Sequence, residues 1–163
     1  MKKNKTTKYK ELLSLLHQKE DSAVFLILNE DEFDVNSKDS KGRTFLHYAV
    51  IENNYNIAEL LLEKGANSSY SDKNGWTPLH YAAQNYNAKL SELLIKYGAD
   101  VNAKDEFGNT VIARATFASQ GNGEVILLLL KNGADPKIAN NSNVSAIDLA
   151  YKIGNFDVTQ YFK

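Results

Sequence analysis

The stretch Gly75-Trp76-Thr77-Pro78-Leu79-His80-Tyr81-Ala82-Ala83 carries a full set of signals for starting a short helix. Asp72-Lys73-Asn74-Gly75 ahead of it is turn chemistry, with Asn-Gly suited to positive φ. Thr77 offers its hydroxyl as an N-cap, and Pro78 takes the first helical position, where its missing N–H is not needed. Leu79, Ala82 and Ala83 place small and apolar side chains on one face, and Leu90, Leu93 and Leu94 do the same on a second helix. Gly98 is placed to end that helix in the left-handed conformation. The pattern predicts turn, helix, turn, helix.

The same signals recur along the chain. Asp39, Asp72 and Asp105 are 33 residues apart, as are Gly42, Gly75 and Gly108, and Thr44, Thr77 and Thr110. Leu46, Leu79 and Ile112 follow in register, then Ala49, Ala82 and Ala115. Gly65-Ala66-Asn67 and Gly98-Ala99-Asp100 keep this period, but Gly133-Ala134-Asp135 arrives two residues late, which places a two-residue insertion near Gly121-Asn122-Gly123. Repetition at this period signals an array of small units. The boundaries are a basic tail over 1–8, a degenerate capping unit over 9–38, and repeats over 39–71, 72–104 and 105–139. A C-terminal capping unit over 140–163 completes the array. Helices this short are unstable alone in water, so each unit must bury its apolar face against a neighbour.

Composition narrows the function classes. Nineteen Lys and Arg against 20 Asp and Glu leave a net charge of −1, which argues against a protein held by nucleic-acid phosphates. The absence of cysteine excludes disulfides, thiolate zinc sites and a cysteine nucleophile. An apolar run such as Ala23 to Leu28 is too short to span a bilayer, and no signal peptide precedes it, so a cytoplasmic location away from membranes is expected. The acidic run Glu30-Asp31-Glu32 reads as a solvated loop between units. Abundant lysine, asparagine and isoleucine suggest an AT-rich genome, of a bacterium or its parasite.

Gly75 to Ala83, followed by Leu93-Leu94 and Gly98-Ala99-Asp100-Val101-Asn102, resembles the ankyrin repeat in nearly every signature position. Residues 39–71 match as well, with Phe45 where proline is usual. The resemblance implies an all-α fold: an ankyrin-repeat solenoid of stacked antiparallel helix pairs with hairpin-like loops projecting from one edge. It also implies a non-enzymatic module that docks another protein in the concave groove, without metal or cofactor. An immunity protein that neutralises a cognate toxin and an effector aimed at host proteins are narrower readings of the same kind. A capped array is expected to be a monomer. In such repeats the histidine, here His47 and His80, bonds loop backbone and ties adjacent units together. His17 is expected at a helix end or partly buried.

No other constellation of residues supports catalysis. Asp39, Asp72 and Asp105 stand at turn starts, which favours bonds to backbone over acid–base work. Gly121-Asn122-Gly123 lacks the further glycine and the preceding strand of a phosphate loop. The resemblance places binding positions after the turn aspartate, before the capping threonine and at the end of the inner helix. These are Lys41, Arg43 and Glu52; Lys73, Asn74, Trp76, Gln84 and Asn85; and Glu106, Phe107, Asn109 and Phe117. Tyr48 and Tyr81 are expected to edge the groove. Arg43, Trp76 and Phe107 are the strongest anchors, because Arg and large aromatics dominate interface energetics. Trp76 is equally consistent with packing on the neighbouring loop. The third unit has Val111-Ile112-Ala113 in place of Pro-Leu-His and carries the insertion, so it is expected to be the least rigid. Polar residues Lys10, Gln18, Lys19 and Glu20 at one end, and Asn155, Asp157, Thr159, Gln160 and Lys163 at the other, supply the capping faces.

Overall fold

A computed structural model describes residues 5–29, 33–153 and 158–163. Glu30-Asp31-Glu32, Asn155 and Asp157 lie outside the described residues. Among those described, nine α-helices follow one another: α1 (Lys5–His17), α2 (Asp21–Leu28), α3 (Phe45–Ile51), α4 (Tyr55–Glu63), α5 (Pro78–Gln84), α6 (Ala88–Lys96), α7 (Val111–Ala118), α8 (Glu124–Lys131) and α9 (Ala146–Lys152). A 3₁₀ turn, Thr159–Phe162, closes the chain. Among the described residues no strand forms beyond an isolated bridge between Lys104 and Thr110.

The helices stand in two rows. The inner row packs α1 on α3, α3 on α5, α5 on α7 and α7 on α9; the outer row packs α2 on α4, α4 on α6 and α6 on α8. Leu46, Leu79 and Ile112 are fully buried in the inner row, and Ala49, Ala82 and Ala115, also fully buried, keep the backbones close. Ile57, Leu90 and Val125, with Leu61, Leu94 and Leu129, do the same for the outer row. No helix has a private core: α3 packs on α4 and α5 on α6 within a unit, and each pair completes its burial against the neighbouring units.

Each inner helix starts on a cap built from its own residues. The Thr44 N–H donates to His47 Nδ1 at 3.1 Å, and the Thr44 hydroxyl lies 2.9 Å from the same nitrogen. Nδ1 therefore accepts, the neutral ring carries its hydrogen on Nε2, and Nε2–H donates to the Trp76 carbonyl of the next unit at 3.1 Å. The expected tie between units is present. His80 repeats the cap, with the Thr77 N–H 3.2 Å from Nδ1. The Asn109 carbonyl acts on its ring in the same sense, although Nε2 makes no hydrogen bond of ordinary geometry. In the third unit Ala113 has no ring to offer, and Thr110 Oγ1 accepts from the Ala113 N–H at 3.4 Å. In α9 the position falls to Asp148, whose carboxylate accepts from the Ser145 N–H at 2.8 Å and the Ser145 hydroxyl at 2.6 Å.

Loops join loops as well. The Lys73 N–H donates to the Lys41 carbonyl at 2.9 Å, Glu106 to Asn74 at 3.0 Å, and Asn141 to Phe107 at 3.0 Å. This approach needs a glycine at the turn: Gly75 has φ +77°, and a Cβ there would lie 2.7 Å from the Glu106 nitrogen. A second stitch runs beneath. Asn36 donates to the Gly65 carbonyl at 3.1 Å and accepts from the Asn67 N–H at 2.8 Å. Asn102 repeats both bonds, to Gly133 at 3.1 Å and from Asp135 at 2.8 Å. Ser69 holds the equivalent place between these two, too short to reach, and Ser68 instead bonds the Tyr97 carbonyl at 3.0 Å.

One expectation changes. Helix α1 begins at Lys5, so residues 5–8, expected in a basic tail, are its first turn. Within that helix Tyr9 packs edge-on against Phe45 with ring centroids 6.1 Å apart and donates to the Arg43 carbonyl at 3.2 Å, which seats α1 on the start of α3. Phe33 meets Phe45 at 6.2 Å from the other side, and Phe45, standing in the usual proline position, anchors the degenerate first unit. His17 ends α1, exposed, with Nδ1 2.8 Å from Glu52 Oε1. The two-residue insertion falls between α7 and α8, where five residues replace the three that join α5 to α6. That loop is tied: the Tyr86 hydroxyl donates to the Asn122 carbonyl and the Tyr161 hydroxyl to Gly121 at 3.0 Å. Tyr86 itself has φ +54°, as does its counterpart Asn53. Of the capping residues described, Lys10, Gln18, Lys19, Glu20, Gln160 and Lys163 are exposed, while Thr159 is half-buried.

Two outcomes are expected. Ser69→Asn completes the missing stitch, to the Gly98 carbonyl and from the Asp100 N–H, and raises the unfolding free energy in urea by about 1 kcal/mol; no gain would mean the loops cannot close on the longer side chain. Burial, only partly opposed by the Trp76 carbonyl, holds His47 down at about 4, and burial likewise holds His80 at about 4. Below the unfolded value of about 6.5 the unfolded chain takes up protons that the folded one refuses. Stability is therefore full above pH 6.5 and falls as pH drops from 6.5 to 4, by at most about 3 kcal/mol for each ring. His80→Gln keeps a capping side chain and removes part of this slope. A flat urea midpoint over that interval contradicts the buried neutral rings.

Candidate functional site

The loop edge is organised by one carboxylate in each unit. Asp39 Oδ1 accepts from the N–H groups of Lys41 (2.8 Å) and Arg43 (2.9 Å). Asp72 Oδ1 accepts from Asn74 (2.9 Å) and Trp76 (3.1 Å), and Asp105 Oδ1 from Phe107 (3.0 Å) and Asn109 (2.8 Å). Asn140 does the same with an amide, accepting from Ser142 at 2.9 Å and Val144 at 3.0 Å. These are the side-chain-to-backbone bonds that turn aspartates favour.

The second carboxylate oxygen reaches the inner helix nine residues on. The Tyr48 hydroxyl donates to Asp39 Oδ2 at 2.6 Å, and the Tyr81 hydroxyl to Asp72 Oδ2 at 2.7 Å. In the third unit Arg114 donates to Asp105 Oδ2 at 2.5 Å. Arg43 crosses between units: its Nε donates to Asp72 Oδ2 at 3.2 Å and its Nη2 to the Tyr81 hydroxyl at 2.6 Å. Burial alone would raise the Asp72 carboxyl, but hydrogen bonds from Tyr81, the Asn74 N–H and Arg43 outweigh it and hold the group below its ordinary value. Asp105 is lowered in the same way, against its burial, by Arg114 and Asn109. Burial and the bond to Asp72 push the Tyr81 hydroxyl up to about 12. All three groups keep one charge state across the neutral range.

This network absorbs several residues expected to face a partner. Arg43 lies over the Tyr81 ring at 5.1 Å and the Tyr48 ring at 5.7 Å. Trp76 sits 4.9 Å from Tyr81 and 6.0 Å from His80, and the Arg114 guanidinium lies over it at 4.7 Å. Asn109 donates to Asp105 at 3.1 Å and accepts from Asn140 at 2.7 Å. Asn85 donates to the Ile51 carbonyl at 3.3 Å. Glu52 meets His17. Lys41, Lys73, Asn74 and Glu106 are exposed at the loop tips, and Gln84 is half-buried at the end of α5. Phe107 and Phe117 are different, at 60% and 66% exposed. Phe107 sits on the loop and Phe117 near the end of inner helix α7, in the same unit.

Sequence reasoning did not single out two cavities. One of about 620 Å³ is lined by Tyr9, Leu13 and Phe33 with Lys8, Lys10 and Lys38 among its polar members. The other, about 400 Å³, lies where the insertion loop meets the end of α5, lined by Gln84, Asn85, Tyr86, Ser119, Gln120 and Asn122. Tyr86 and Gln120, at φ +54° and +47°, mark that second place. Among the described residues no group of three His, Asp or Glu is arranged to hold a metal ion, and no helix is long and apolar enough to cross a membrane.

Comparison with known proteins agrees with this geometry. Residues 12–105, more than half of the chain, match ankyrin repeats in three copies. The chain is also 46% identical over 59 residues to an ankyrin repeat protein of Fowlpox virus (strain NVSL), an overlap covering 34% of this chain and 14% of that relative. The chain thus spans about a seventh of the length of that curated relative. Ankyrin repeats are in general protein–protein interaction modules and typically lack enzymatic activity. With nine helices among the described residues in two stacked rows, repeated turn carboxylates and the His47 tie between units, the chain belongs to the ankyrin repeat family.

Proposed function

We propose that this chain is a non-enzymatic recognition module that docks one partner protein against the groove bounded by its loops and inner helices, acting as a cytoplasmic monomer. The carrying observation is the pair Phe107 and Phe117, each more than half exposed within one unit, while the candidate aromatics Tyr48, Trp76 and Tyr81 are engaged internally. Large apolar side chains left in water are costly unless a partner covers them. The exposed tips Lys41, Lys73, Asn74 and Glu106 form the polar rim, with Gln84 at the inner-helix end. Arg43, Trp76, Tyr48 and Tyr81 contribute by holding the loops in place, so the surface is formed before the partner arrives and ordering cost is low.

Phe107→Ala and Phe117→Ala are expected to change stability by less than about 0.5 kcal/mol, because both side chains are mostly solvated. Each is expected to weaken capture of the partner from source lysate. Trp76→Ala is expected instead to lower the unfolding free energy by about 1–3 kcal/mol, since it removes contacts to His80, Tyr81 and Arg114. If both phenylalanine variants keep every partner that the parent chain captures, the docking face lies elsewhere.

A further inference from the structure

Three Asn-Gly steps occur in the chain: Asn74-Gly75, Asn122-Gly123 and Asn132-Gly133. In such a step the glycine nitrogen can attack the asparagine side-chain carboxamide, because no Cβ on the following residue obstructs the approach. A fold suppresses the reaction when it ties up the attacking N–H. The Gly75 N–H donates to the Asp72 carbonyl at 3.0 Å, and the Gly133 N–H to Leu130 at 3.0 Å. Both glycines sit in left-handed turns, at φ +77° and +88°. The Asn132 amide is further held by its bond to the Leu128 carbonyl at 2.8 Å.

Asn122-Gly123 differs on each count. The Gly123 N–H donates to no acceptor among the described residues, and its φ is −95°. The Asn122 side chain is folded back over the backbone, with its Oδ1 accepting the Glu124 N–H at 3.0 Å. That oxygen is where negative charge develops when a nucleophile adds to the carboxamide, so the Glu124 N–H is already in the place of an oxyanion donor. The Asn122 carboxamide is exposed, as those of Asn74 and Asn132 are, and Gly123 beside it is buried under the Tyr161 ring, so opening of that ring contact admits the water that takes the proton.

We propose that Asn122-Gly123 is a site of spontaneous backbone isomerisation promoted by the fold, with water as the only co-reactant. The Gly123 nitrogen gives its proton to solvent and attacks Asn122 Cγ. The new C–N bond forms while Oδ1 carries the charge facing Glu124. Collapse breaks the Cγ–Nδ2 bond, and the leaving nitrogen takes a proton from solvent and departs as ammonia, leaving a five-membered succinimide. Water then opens either ring carbonyl to give aspartate or isoaspartate at position 122. No oxidant or reductant is involved. The product adds a negative charge, and the isoaspartate form adds a methylene to the main chain between two ties, Tyr86 to the Asn122 carbonyl and Tyr161 to the Gly121 carbonyl. Gly123 packs directly beneath the Tyr161 ring, so the lengthened loop releases the C-terminal turn.

The test incubates the full chain in ¹⁸O-labelled water at mildly alkaline pH, folded and in urea, and follows label uptake at each Asn-Gly step by peptide mapping. In the folded chain, conversion at Asn122 is expected to be at least about tenfold faster than at Asn74 or Asn132, as a positioned oxyanion donor and a free nucleophile allow. In urea the three steps are expected to converge. Equal rates in the folded chain overturn the proposal, as does a preference for Asn122 that persists unchanged in urea, since the fold would then have no part in it.

Discussion

A seven-residue helix such as α3, α5 or α9 cannot hold its own hydrogen-bond ladder in water, and the nine residues of α4 and α6 are little better placed. Everything else in the molecule answers that constraint. Ala49, Ala82 and Ala115 bring inner helices close enough for Leu46, Leu79 and Ile112 to leave water altogether. The loops are joined by single backbone bonds. Stability is therefore a property of junctions between units, not of any one unit.

The turn carboxylates extend the same logic to the loop edge. Each uses one oxygen to shape its own loop and the other to fasten that loop to the inner helix behind it. Tyr48, Tyr81 and Arg114 occupy one register position and perform one task with different chemistry. Arg114 makes good part of what the third unit loses when Ala113 replaces histidine, because its guanidinium also covers Trp76 in the preceding unit. At the far end, Asp148 caps its helix without a donor to offer beyond it, and its side chain faces solvent.

The architecture was legible because a period of 33 residues repeats helix starts, turn aspartates and terminating glycines together, and local chemistry dictates each of them. The position of the insertion followed from the same register, and the His47 tie from the resemblance to ankyrin repeats. The proposed docking surface was much less legible. Arg43, Trp76, Tyr48 and Tyr81 look like a groove edge in a linear reading, yet their partners lie mostly 29 to 38 residues away or nine residues along in the same unit. The constant nine-residue step from Asp39 to Tyr48, Asp72 to Tyr81 and Asp105 to Arg114 was the available signal. The contact of Phe45 with Tyr9 and Phe33, and the grip of Tyr86 and Tyr161 on the insertion loop, join segments with no shared motif. Phe107 was singled out because its place at a loop tip resists explanation as packing, and it is exposed.

The dependence of each unit on its neighbours is tested most directly by circular dichroism of a peptide spanning residues 72–104 alone, set beside the same segment within the full chain. Its two helices, α5 and α6, lose both flanking rows in isolation. The account predicts a coil spectrum for the peptide at neutral pH. Helix content matching that of the intact array would show that a unit holds its own structure, and would contradict the claim that order comes from stacking.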